Sequence, residues 1–386
     1  MFQTFTPLAP NRSGGTNTVY TIGFVIEQVL GHITHTQNLR ANVCDDPDVR
    51  TEWVLVPYEV TGLARHLPVY ATNWTVRAGL GARRGLAHMV REVRPDVLFF
   101  HTQVPAMLAV DWLRRFPSII SLDATPLQYD RLGEFYAHQT GSLTSELLKW
   151  RLSRVCFELA RHLVVWSNWA KQGLIDEYAV PAEKITVIPP GVNVRAWLRP
   201  TPLKPDGHQV KILFVGGNLE RKGGLLLLEA FRSLRHLGIE LHLVTRDPVA
   251  PEPGVFVYHD MQPNSDRLKA LYHSCDIFAL PTYGDCLPMV LSEAGAAGMA
   301  TVSTRVGAIP EVVRHDETGL LVEPGDVAGL TLALQQLVLN PALRLRLAHA
   351  AVAHIRQAYD LQVNSRRLLA LLKHEAAAAR GQVRVA

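Results

Sequence analysis

Two glycine-rich segments in the second half of the chain carry residues suited to binding a phosphorylated ligand. The first, FVGGNLERKGG, places Gly216 and Gly217 after an apolar run and Arg221 and Lys222 just before Gly223. Backbone amides, a helix start and two cations at one point predict an anion site. The alternative is a solvated turn with exposed basic side chains. The segment lacks the spacings GxxxxGK(S/T) and GxGxxG, so neither a P-loop nor a dinucleotide-binding turn is predicted.

The second segment, PTYGDCLPMVLSEAGAAG, carries two carboxylates, Asp285 and Glu293, eight positions apart. We expect Asp285 in the loop after a strand and Glu293 about one turn into the next helix, so that both face one ligand. Ionised carboxylates accept hydrogen bonds, and a sugar offers many hydroxyl donors. Taken alone, such a pair is more often a helix-capping acid and a partner in a surface ion pair, and the ligand-binding interpretation gains weight only from the glycine-rich segment upstream.

Short apolar runs alternate with helical patterns along the whole chain, which predicts two parallel-sheet α/β domains. In the first half, strands are predicted at YTIGFVIEQ (from Tyr20), TEWVLVPYEV, DVLFFHTQ, SIISLDATP, HLVVWSN and KITVIPPGVN. A proline-rich linker, RPTPLKPDGH, separates this half from VKILFVGG and the strands that follow it. The predicted divisions are a loose arm at 1–18, domains at 19–196 and 208–355, and a helical tail at 356–386 with a frayed end.

Composition places the chain among ordinary folded proteins. It has 386 residues, and 39 Lys plus Arg against 35 Asp plus Glu give a formal charge of +4, too slight to predict nucleic-acid binding. It contains no apolar run of the roughly 18 residues that span a bilayer, and its start does not resemble a signal peptide. We therefore expect a soluble, cytoplasmic protein. The cysteines lack CxxC spacing and are predicted to be buried thiols: Cys44, Cys156, Cys275 and Cys286.

The segment from about residue 210 to 325 resembles the donor-binding domain of the retaining glycosyltransferases of family 4, which have the fold called GT-B. Asp285 and Glu293 match that family's two glutamates separated by seven residues, and its "EA-x-A-x-G" run follows from Glu293 to Gly298. The resemblance covers most of residues 20–370 and is strong only after about Lys184. It implies two Rossmann-like domains facing each other across a cleft, with a C-terminal helix crossing back to the N-terminal domain.

The resemblance also implies an activity and a set of partners. A hexose-type sugar would pass, with retention of configuration, from a nucleotide-diphosphate donor, UDP- or GDP-linked, to a hydroxyl of a sugar, glycolipid or small molecule. The N-terminal domain would bind the acceptor and the C-terminal domain the donor, with no obligatory metal or other cofactor. An epimerase or phosphorylase of the same fold is disfavoured. A nucleotide-sugar-binding module or partner subunit without activity stays open, and the oligomeric state is not predicted.

Roles follow from the same resemblance. Lys222, with Arg221, would bind the diphosphate, Asp285 the hydroxyls of the donor sugar, and Glu293 the ribose. His101, at the end of DVLFFH, would reach the donor sugar near the reacting carbon; its alternative is a hydrogen-bonded histidine at a strand end. The remaining donor-binding positions are Gly31, Gly216, Gly217, Gly223, Met289 and Val290.

This chain departs from the family pattern at three places near the expected site. Gly217 stands where arginine is usual, so Arg221 would supply the second cation. Asp285 is one methylene shorter than glutamate, and Pro288 replaces a glycine whose amide would donate a hydrogen bond. Thr245–Asp247 likewise replaces a glycine-rich turn.

Three further features have a functional and a structural interpretation. Asp123 is a candidate for contacting the acceptor, although a helix cap is favoured. The DDPD segment at 45–48 resembles a metal-binding D-x-D but is interpreted as a turn. An arginine-rich helix could hold the protein peripherally at the inner membrane face, although a solvated helix face is favoured; its arginines are Arg77, Arg83, Arg84, Arg91 and Arg94.

Overall fold

The computed structural model describes residues 19–29, 31–59, 66, 70, 72–133, 141–201, 203 and 208–385. The predicted arm at 1–18 and part of the linker, at 202 and 204–207, lie outside these ranges. The described residues form two six-stranded sheets in which neighbouring strands run parallel. This confirms the predicted α/β fold, in which helices cross over between parallel strands.

The first sheet is built from the first half of the chain in the order β2-β1-β3-β4-β5-β6. Its strands are β1 (Tyr20–Gln28), β2 (Val49–Pro57), β3 (Val97–His101), β4 (Ser118–Leu122), β5 (His162–Val165) and β6 (Ile185–Val187). Ile26 of β1 pairs with His101 of β3, which pairs with Ser121 of β4. The carboxyl ends of these three strands therefore meet at one edge, where α/β proteins bind ligands.

Helices cover both faces of this sheet. They are α1 (Gly31–Val43), α2 (Trp74–Glu92), α3 (Val104–Met107), α4 (Val110–Arg115), α5 (Pro126–Arg131), α6 (Leu143–Leu159) and α7 (Asn168–Tyr178). Side-chain caps begin several of them: the Ser142 and Ser167 hydroxyls accept hydrogen bonds from first-turn amides of α6 and α7.

The second sheet follows the order β12-β11-β10-β7-β8-β9. Its strands are β7 (Lys211–Val215), β8 (Glu240–Val244), β9 (Val255–Tyr258), β10 (Ile277–Leu280), β11 (Ala300–Thr304) and β12 (Gly319–Val322). The helices of the second half are α8 (Val194–Trp197), α9 (Gly224–Leu234), α10 (Asp266–Ser274), α11 (Met289–Ala296), α12 (Ile309–Val312), α13 (Val327–Leu339), α14 (Pro341–Ala358) and α15 (Leu361–Val385).

The last helix returns to the first sheet, as the resemblance implies. Leu368 and Leu372 of α15 are buried in one core cluster with Ile22, Phe24 and Val97 of the first sheet. We call the first sheet with its helices and α15 the N-domain, and the second sheet with α9–α14 the C-domain. Burial of α15 makes it part of the N-domain core, since apolar area removed from water stabilises the docked helix.

Three helix boundaries differ from those that the sequence patterns predict. The tail is predicted to be helical from Pro341 to about Glu375; the structure divides it into two helices at Tyr359 and Asp360, and α15 extends to Val385. The pattern LGARRGLAHMVREV predicts a helix from Leu80, but α2 begins at Trp74, where Asn73 caps it. The pattern THTQNLRANV predicts the first helix from Thr34, but α1 begins three residues earlier, at Gly31.

Candidate active site

The loop that carries Arg221 and Lys222, here called the cation loop, runs from β7 to α9 of the C-domain, and packing requires glycine at Gly216 and Gly223. A Cβ on Gly216 would come 2.8 Å from Phe214 Cζ. Gly223 has a φ of +75°, and a Cβ there would lie 1.9 Å from the carbonyl oxygen of Pro281. Glycine alone adopts this conformation without cost. The amide of Gly223 donates within the turn, to Glu220 O at 3.0 Å, so the loop offers a ligand its cations and the helix dipole rather than this amide.

Both cations of the loop contact one carboxylate. Lys222 Nζ donates to the two carboxylate oxygens of Asp285 at 2.6 and 2.7 Å, and Arg221 Nη1 lies 3.3 Å from Oδ1. Arg221 also donates to the carbonyl of Gly284 at 2.7 Å, and the Thr282 hydroxyl donates to Asp285 Oδ2 at 2.8 Å. The three charged side chains are 13%, 14% and 8% exposed for Arg221, Lys222 and Asp285. The structure thus brings three of the expected catalytic residues into one nearly buried group.

Because Lys222 is nearly buried, its charged form depends on the carboxylate of Asp285. Burial lowers the pKa of Lys222; the Asp285 carboxylate opposes that shift, and the charge of Arg221 adds to it. A buried ammonium that loses its counter-ion is strongly destabilised. Any movement of Asp285 away from Lys222 is therefore favoured only when another anion takes its place.

A third cation lies beside Gly217, where the family pattern has arginine. A Cβ on Gly217 would lie 3.8 Å from Arg246 Nε, in the loop after β8. Asp247 in the same loop accepts a hydrogen bond from the amide of Leu219 at 2.6 Å, which joins it to the cation loop. Sequence reasoning assigned the second cation to Arg221. The structure adds Arg246 as an exposed cation next to the missing arginine.

Glu293 lies in a separate contact from the Lys222–Asp285 group. It is on α11, after Pro288 and the first two helical residues Met289 and Val290, and it is 5% exposed. The Tyr272 hydroxyl donates to Glu293 Oε2 at 3.2 Å. Burial raises the pKa of Glu293 from 4.5 to about 7. That both acids contact one nucleotide sugar stays a prediction.

An aromatic cluster of three histidines and a tryptophan forms the edge of the N-domain sheet. The ring of His101 stacks on Trp166 at 5.0 Å, His32 meets His101 edge-on at 4.5 Å, and His35 lies 5.0 Å from His101. Both ring nitrogens of His101 are buried, and neither forms a well-aligned hydrogen bond among the described residues, although the backbone of Ser121 in the paired strand interacts with the imidazole. The alternative of a hydrogen-bonded histidine at a strand end therefore stays a prediction, beside the proposed contact with the donor sugar.

One histidine of this cluster is held in its charged form. His32 Nδ1 lies 3.2 Å from Glu27 Oε1, and its Nε2 lies 3.6 Å from Asp123 Oδ2. Burial opposes the charged imidazole, but these carboxylates outweigh it and raise the pKa of His32 to about 10. Burial, reinforced by the charge of His32, lowers the pKa of His35 to about 3 and that of His101 well below 6.5. The cluster therefore holds one imidazolium and two neutral imidazoles at neutral pH.

Asp123 is not the helix cap that the sequence favoured. The cap of α5 is Thr125, which accepts from the amide of Gln128 at 3.0 Å, while the Gln128 side chain accepts from the amide of Thr125 at 3.0 Å. The Asp123 side chain is instead 23% exposed beside His32. Burial raises its pKa, but His32 outweighs burial, and the pKa lies below 3.8. Asp123 is thus an ionised carboxylate at the cleft.

Asp123 and helix α5 of the N-domain face the group of Arg221, Lys222 and Asp285 in the C-domain. Burial is the main cause that raises the pKa of Tyr129 in α5, and the charges of Cys286, Asp123 and Arg221 also act on it. The thiol of Cys286, beside Asp285, has a raised pKa for the same reason, with Asp123 as its next contributor. Groups of the two domains therefore lie within electrostatic range of one another.

Gly31 lies beside the histidine cluster of the N-domain. It is the first residue of α1, immediately before His32, and a Cβ built on it would meet no atom within 4 Å. The family resemblance implies a flexible glycine turn at Gly31, and the sequence patterns did not single out the neighbouring Glu27, His32 and His35. The signal was present in the EQVLGHITH segment, in which two histidines follow an acid at the end of a buried strand.

The other candidate features have structural partners. Asp46 and Asp48 of the DDPD turn pair with Lys373 of α15 at 2.7 and 3.3 Å. Arg77 is buried against the rings of Tyr58 and Trp74, so the arginine-rich helix is not the uniformly solvated face that was favoured.

Arg83 of the same helix pairs with Asp111, whereas Arg84, Arg91 and Arg94 are exposed.

Three cysteines are buried as expected, but Cys44 is exposed. Among the described residues, no group of three or more His, Cys, Asp or Glu side chains could hold a metal ion. In the described part of the chain, no helix combines the length and apolar character needed to cross a membrane.

Comparison with known proteins relates both domains to one family. Residues 209–340 match the model "Glycosyl transferases group 1", and residues 43–196 match the model "Glycosyltransferase Family 4". A D-inositol 3-phosphate glycosyltransferase from Corynebacterium jeikeium is 30% identical over 219 residues, which are 50% of this chain and 52% of that protein. The chain spans roughly a third to a half of the length of such relatives, with 31% of the Corynebacterium efficiens protein covered.

Solved structures show the same architecture. Sucrose-phosphate synthase from Thermosynechococcus elongatus superposes with a TM-score of 0.71 at 17% identity, over 93% of this chain and 100% of that one. HepE from Anabaena, solved with UDP and glucose, has a TM-score of 0.68 at 15% identity, over 92% and 100%. The family models and the two parallel sheets together show that this chain belongs to glycosyltransferase family 4 and has the GT-B fold.

Proposed function

We propose that this protein transfers a hexose-type sugar from a nucleotide diphosphate to an acceptor hydroxyl, with retention of anomeric configuration. The observation that carries the proposal is the nearly buried group of Arg221, Lys222 and Asp285 at the start of α9. This group lies across the cleft from Asp123 and the histidine cluster. Two cations beside a helix N-terminus suit a diphosphate, and family membership supports the reaction class.

Donor binding would exchange one anion for another at the cations. The diphosphate takes the place of the Asp285 carboxylate at Lys222 and Arg221, which leaves Asp285 free to accept hydrogen bonds from hydroxyls of the donor sugar. As the bond from the sugar to the phosphate breaks, negative charge grows on the phosphate and the two cations stabilise it. One preorganised donor of this kind contributes on the order of 3 kcal/mol to lowering the barrier. The proposal assigns this work to side chains and to no metal ion.

The nucleoside end would lie along α11. Glu293 would accept hydrogen bonds from the ribose hydroxyls, and the amides of Met289 and Val290 open the helix, where none of its own carbonyls can pair with them. We favour UDP or GDP as the nucleotide. Support for UDP comes from HepE, which shares the fold and was solved with UDP-glucose.

The acceptor would lie against Asp123 and the histidine cluster of the N-domain. Ionised Asp123, oriented by His32, would accept a hydrogen bond from the attacking hydroxyl, and neutral His101 would contact the donor sugar near the reacting carbon. In a retaining transfer the hydroxyl attacks on the face from which the phosphate leaves. The leaving phosphate oxygen takes the hydroxyl proton, so no separate base is needed at that step.

A panel of donors tests the proposal. Purified protein is incubated with UDP-, GDP- and ADP-linked glucose, mannose and N-acetylglucosamine, with a mixture of sugar and glycoside acceptors, and nucleotide release is measured. We expect release with one nucleotide class and a product whose anomeric proton shows the configuration of the donor. Tight binding of a nucleotide sugar without release would instead support the non-catalytic binding module, and inverted product would refute retention.

A further inference from the structure

One carboxylate of the C-domain binds the start of an N-domain helix across the cleft. Glu311 Oε2 accepts hydrogen bonds from the backbone amide and the side-chain amide of Asn168, both at 2.9 Å. Its Oε1 accepts from the amide of Trp169 at 2.8 Å. These are the first two amides of α7, which the helix cannot satisfy itself. The Ser167 hydroxyl takes the third, from Ala170 at 3.0 Å, so residues of both domains complete this helix start.

On its own side, Glu311 is connected to the loop that holds Asp285. Ala308, three residues before Glu311, donates its amide to the carbonyl of Cys286 at 2.8 Å. Gly307 has a φ of +53°, and a Cβ there would lie 2.3 Å from the carbonyl oxygen of Asp285. The segment leading to Glu311 thus packs backbone to backbone against the Asp285 loop. A displacement of one loop must displace the other, because close packing leaves no room to absorb it.

On the N-domain side, a hydrogen bond connects Trp169 to helix α5, next to the loop of Asp123. The Trp169 carbonyl accepts a hydrogen bond from Gln128 Nε2 at 2.7 Å. Gln128 forms the capping box of α5 with Thr125, and α5 carries Tyr129 and begins three residues after Asp123. The ring of Trp169 packs against the apolar cores of both domains. A continuous set of contacts therefore joins Glu311 to the loop of Asp123.

We infer that Glu311 is a positioning residue that couples the loop of Asp285 in the C-domain to the loop of Asp123 in the N-domain. By capping α7, it fixes the closed arrangement of the domains, in which Asp123 and Tyr129 face Lys222 and Asp285. The kinetic consequences rest on the proposed function. The structural consequence, closure of the two domains, does not.

The first test measures closure directly. Glu311→Ala and Glu311→Gln are compared with wild type by hydrogen exchange at the amides of Asn168 and Trp169. The matched control is Glu317→Gln, an acid in the same segment that is 69% exposed and 3.8 Å from Arg314. We expect exchange at least tenfold faster in Glu311→Ala, intermediate in Glu311→Gln, and unchanged in the control. Unchanged exchange at both amides in Glu311→Ala would overturn the inference.

The second test separates positioning from binding. We expect Glu311→Ala to bind the nucleotide diphosphate within twofold of wild type by calorimetry, and to lose at least tenfold in kcat at saturating donor. Glu311→Asp should recover part of the loss, because a shorter carboxylate still reaches some of the donors. Unchanged kcat, or a loss of nucleotide affinity as large as the loss of kcat, would contradict the inference. A wild-type protein without turnover would refute the proposed function, while hydrogen exchange would still decide the closure contact.

Discussion

Replacing Glu293 by glutamine should stabilise the protein, and the gain should depend on pH. Glu293 is a carboxylate 5% exposed on α11, with the Tyr272 hydroxyl donating to it at 3.2 Å. Burial raises its pKa to about 7. Glutamine has the same shape and accepts the same hydrogen bond without carrying a charge into the protein.

The magnitude follows from linkage between protonation and folding. Between pH 4.5 and 7 the folded state binds a proton at Glu293 that the unfolded state has lost, so the free energy of unfolding falls as pH rises through this window. At 1.36 kcal/mol for each pH unit, the cost above pH 7 is about 3 kcal/mol. Glu293→Gln should recover about this amount at pH 8 and less than about 1 kcal/mol at pH 5.

Thermal unfolding at the two pH values is the assay. For a domain of this size, about 3 kcal/mol raises Tm by roughly 6 to 12 °C. Glu293→Gln should therefore melt well above wild type at pH 8 and close to it at pH 5. An equal shift at both pH values, or a destabilised variant at pH 8, would refute the reasoning.

The same variant tests the proposed ribose contact. Hydroxyls that donate to Glu293 favour its ionised form, so nucleotide binding near pH 6.5 should release a proton. Calorimetry in buffers of different ionisation enthalpy measures this release. Glu293→Gln should abolish the release and weaken binding, and proton release that persists in the variant would place its source elsewhere.

Two further substitutions probe the two walls of the cleft. Gly223→Ala should unfold the cation loop, at a cost of about 3 kcal/mol or more, because its Cβ would lie 1.9 Å from the carbonyl oxygen of Pro281 at a φ of +75°; urea unfolding measures the loss. His32→Gln should remove the charge between Glu27 and Asp123 and destabilise the protein. Because the pKa of folded His32 is raised from 6.5 to about 10, wild type should hold this stability fully below pH 6.5 and lose it as pH rises through 10, whereas the variant should show no such loss.

Each substitution has a control in the chain. Gly238 also has a positive φ, of +70°, but no atom lies within 4 Å of a Cβ built on it. Gly238→Ala should therefore cost only the backbone strain, and an equal loss in the two glycine variants would contradict the steric argument. His208 pairs with Asp276 away from the cleft. A His208→Gln variant that reproduced the pH dependence of His32→Gln would show that the cluster is not its source.

Local patterns predicted the elements that depend on local sequence. The segments KILFV and ATVST are short runs rich in apolar and β-branched residues between helical segments, and the structure has them as strands at Lys211–Val215 and Ala300–Thr304. The start of α1 was missed because Gly31 and the β-branched Ile33 weaken the helical pattern. Contacts of His32 with Glu27 and with distant Asp123 hold that first turn in place.

The site was predictable only where its residues share a segment. Lys222 could be found because it lies in one glycine-rich loop. The histidine cluster depends on Trp166, which topology brings beside His101, and the role of Glu311 at Asn168 depends on how the two domains dock. No short segment encodes such a contact. The expected cap at Asp123 was wrong for a related reason, since Thr125 competes for that role two residues later.

The central claim is that the donor diphosphate replaces the Asp285 carboxylate as the anionic partner of Lys222. Isothermal titration of UDP and GDP into wild type and Lys222→Met tests it, with Lys269→Met as a control whose lysine pairs with an exposed aspartate on α10. The loss of a charge-assisted hydrogen bond predicts an affinity about 10- to 100-fold weaker in Lys222→Met and unchanged in the control. Equal affinity of wild type and Lys222→Met for the nucleotide that wild type binds would contradict the account.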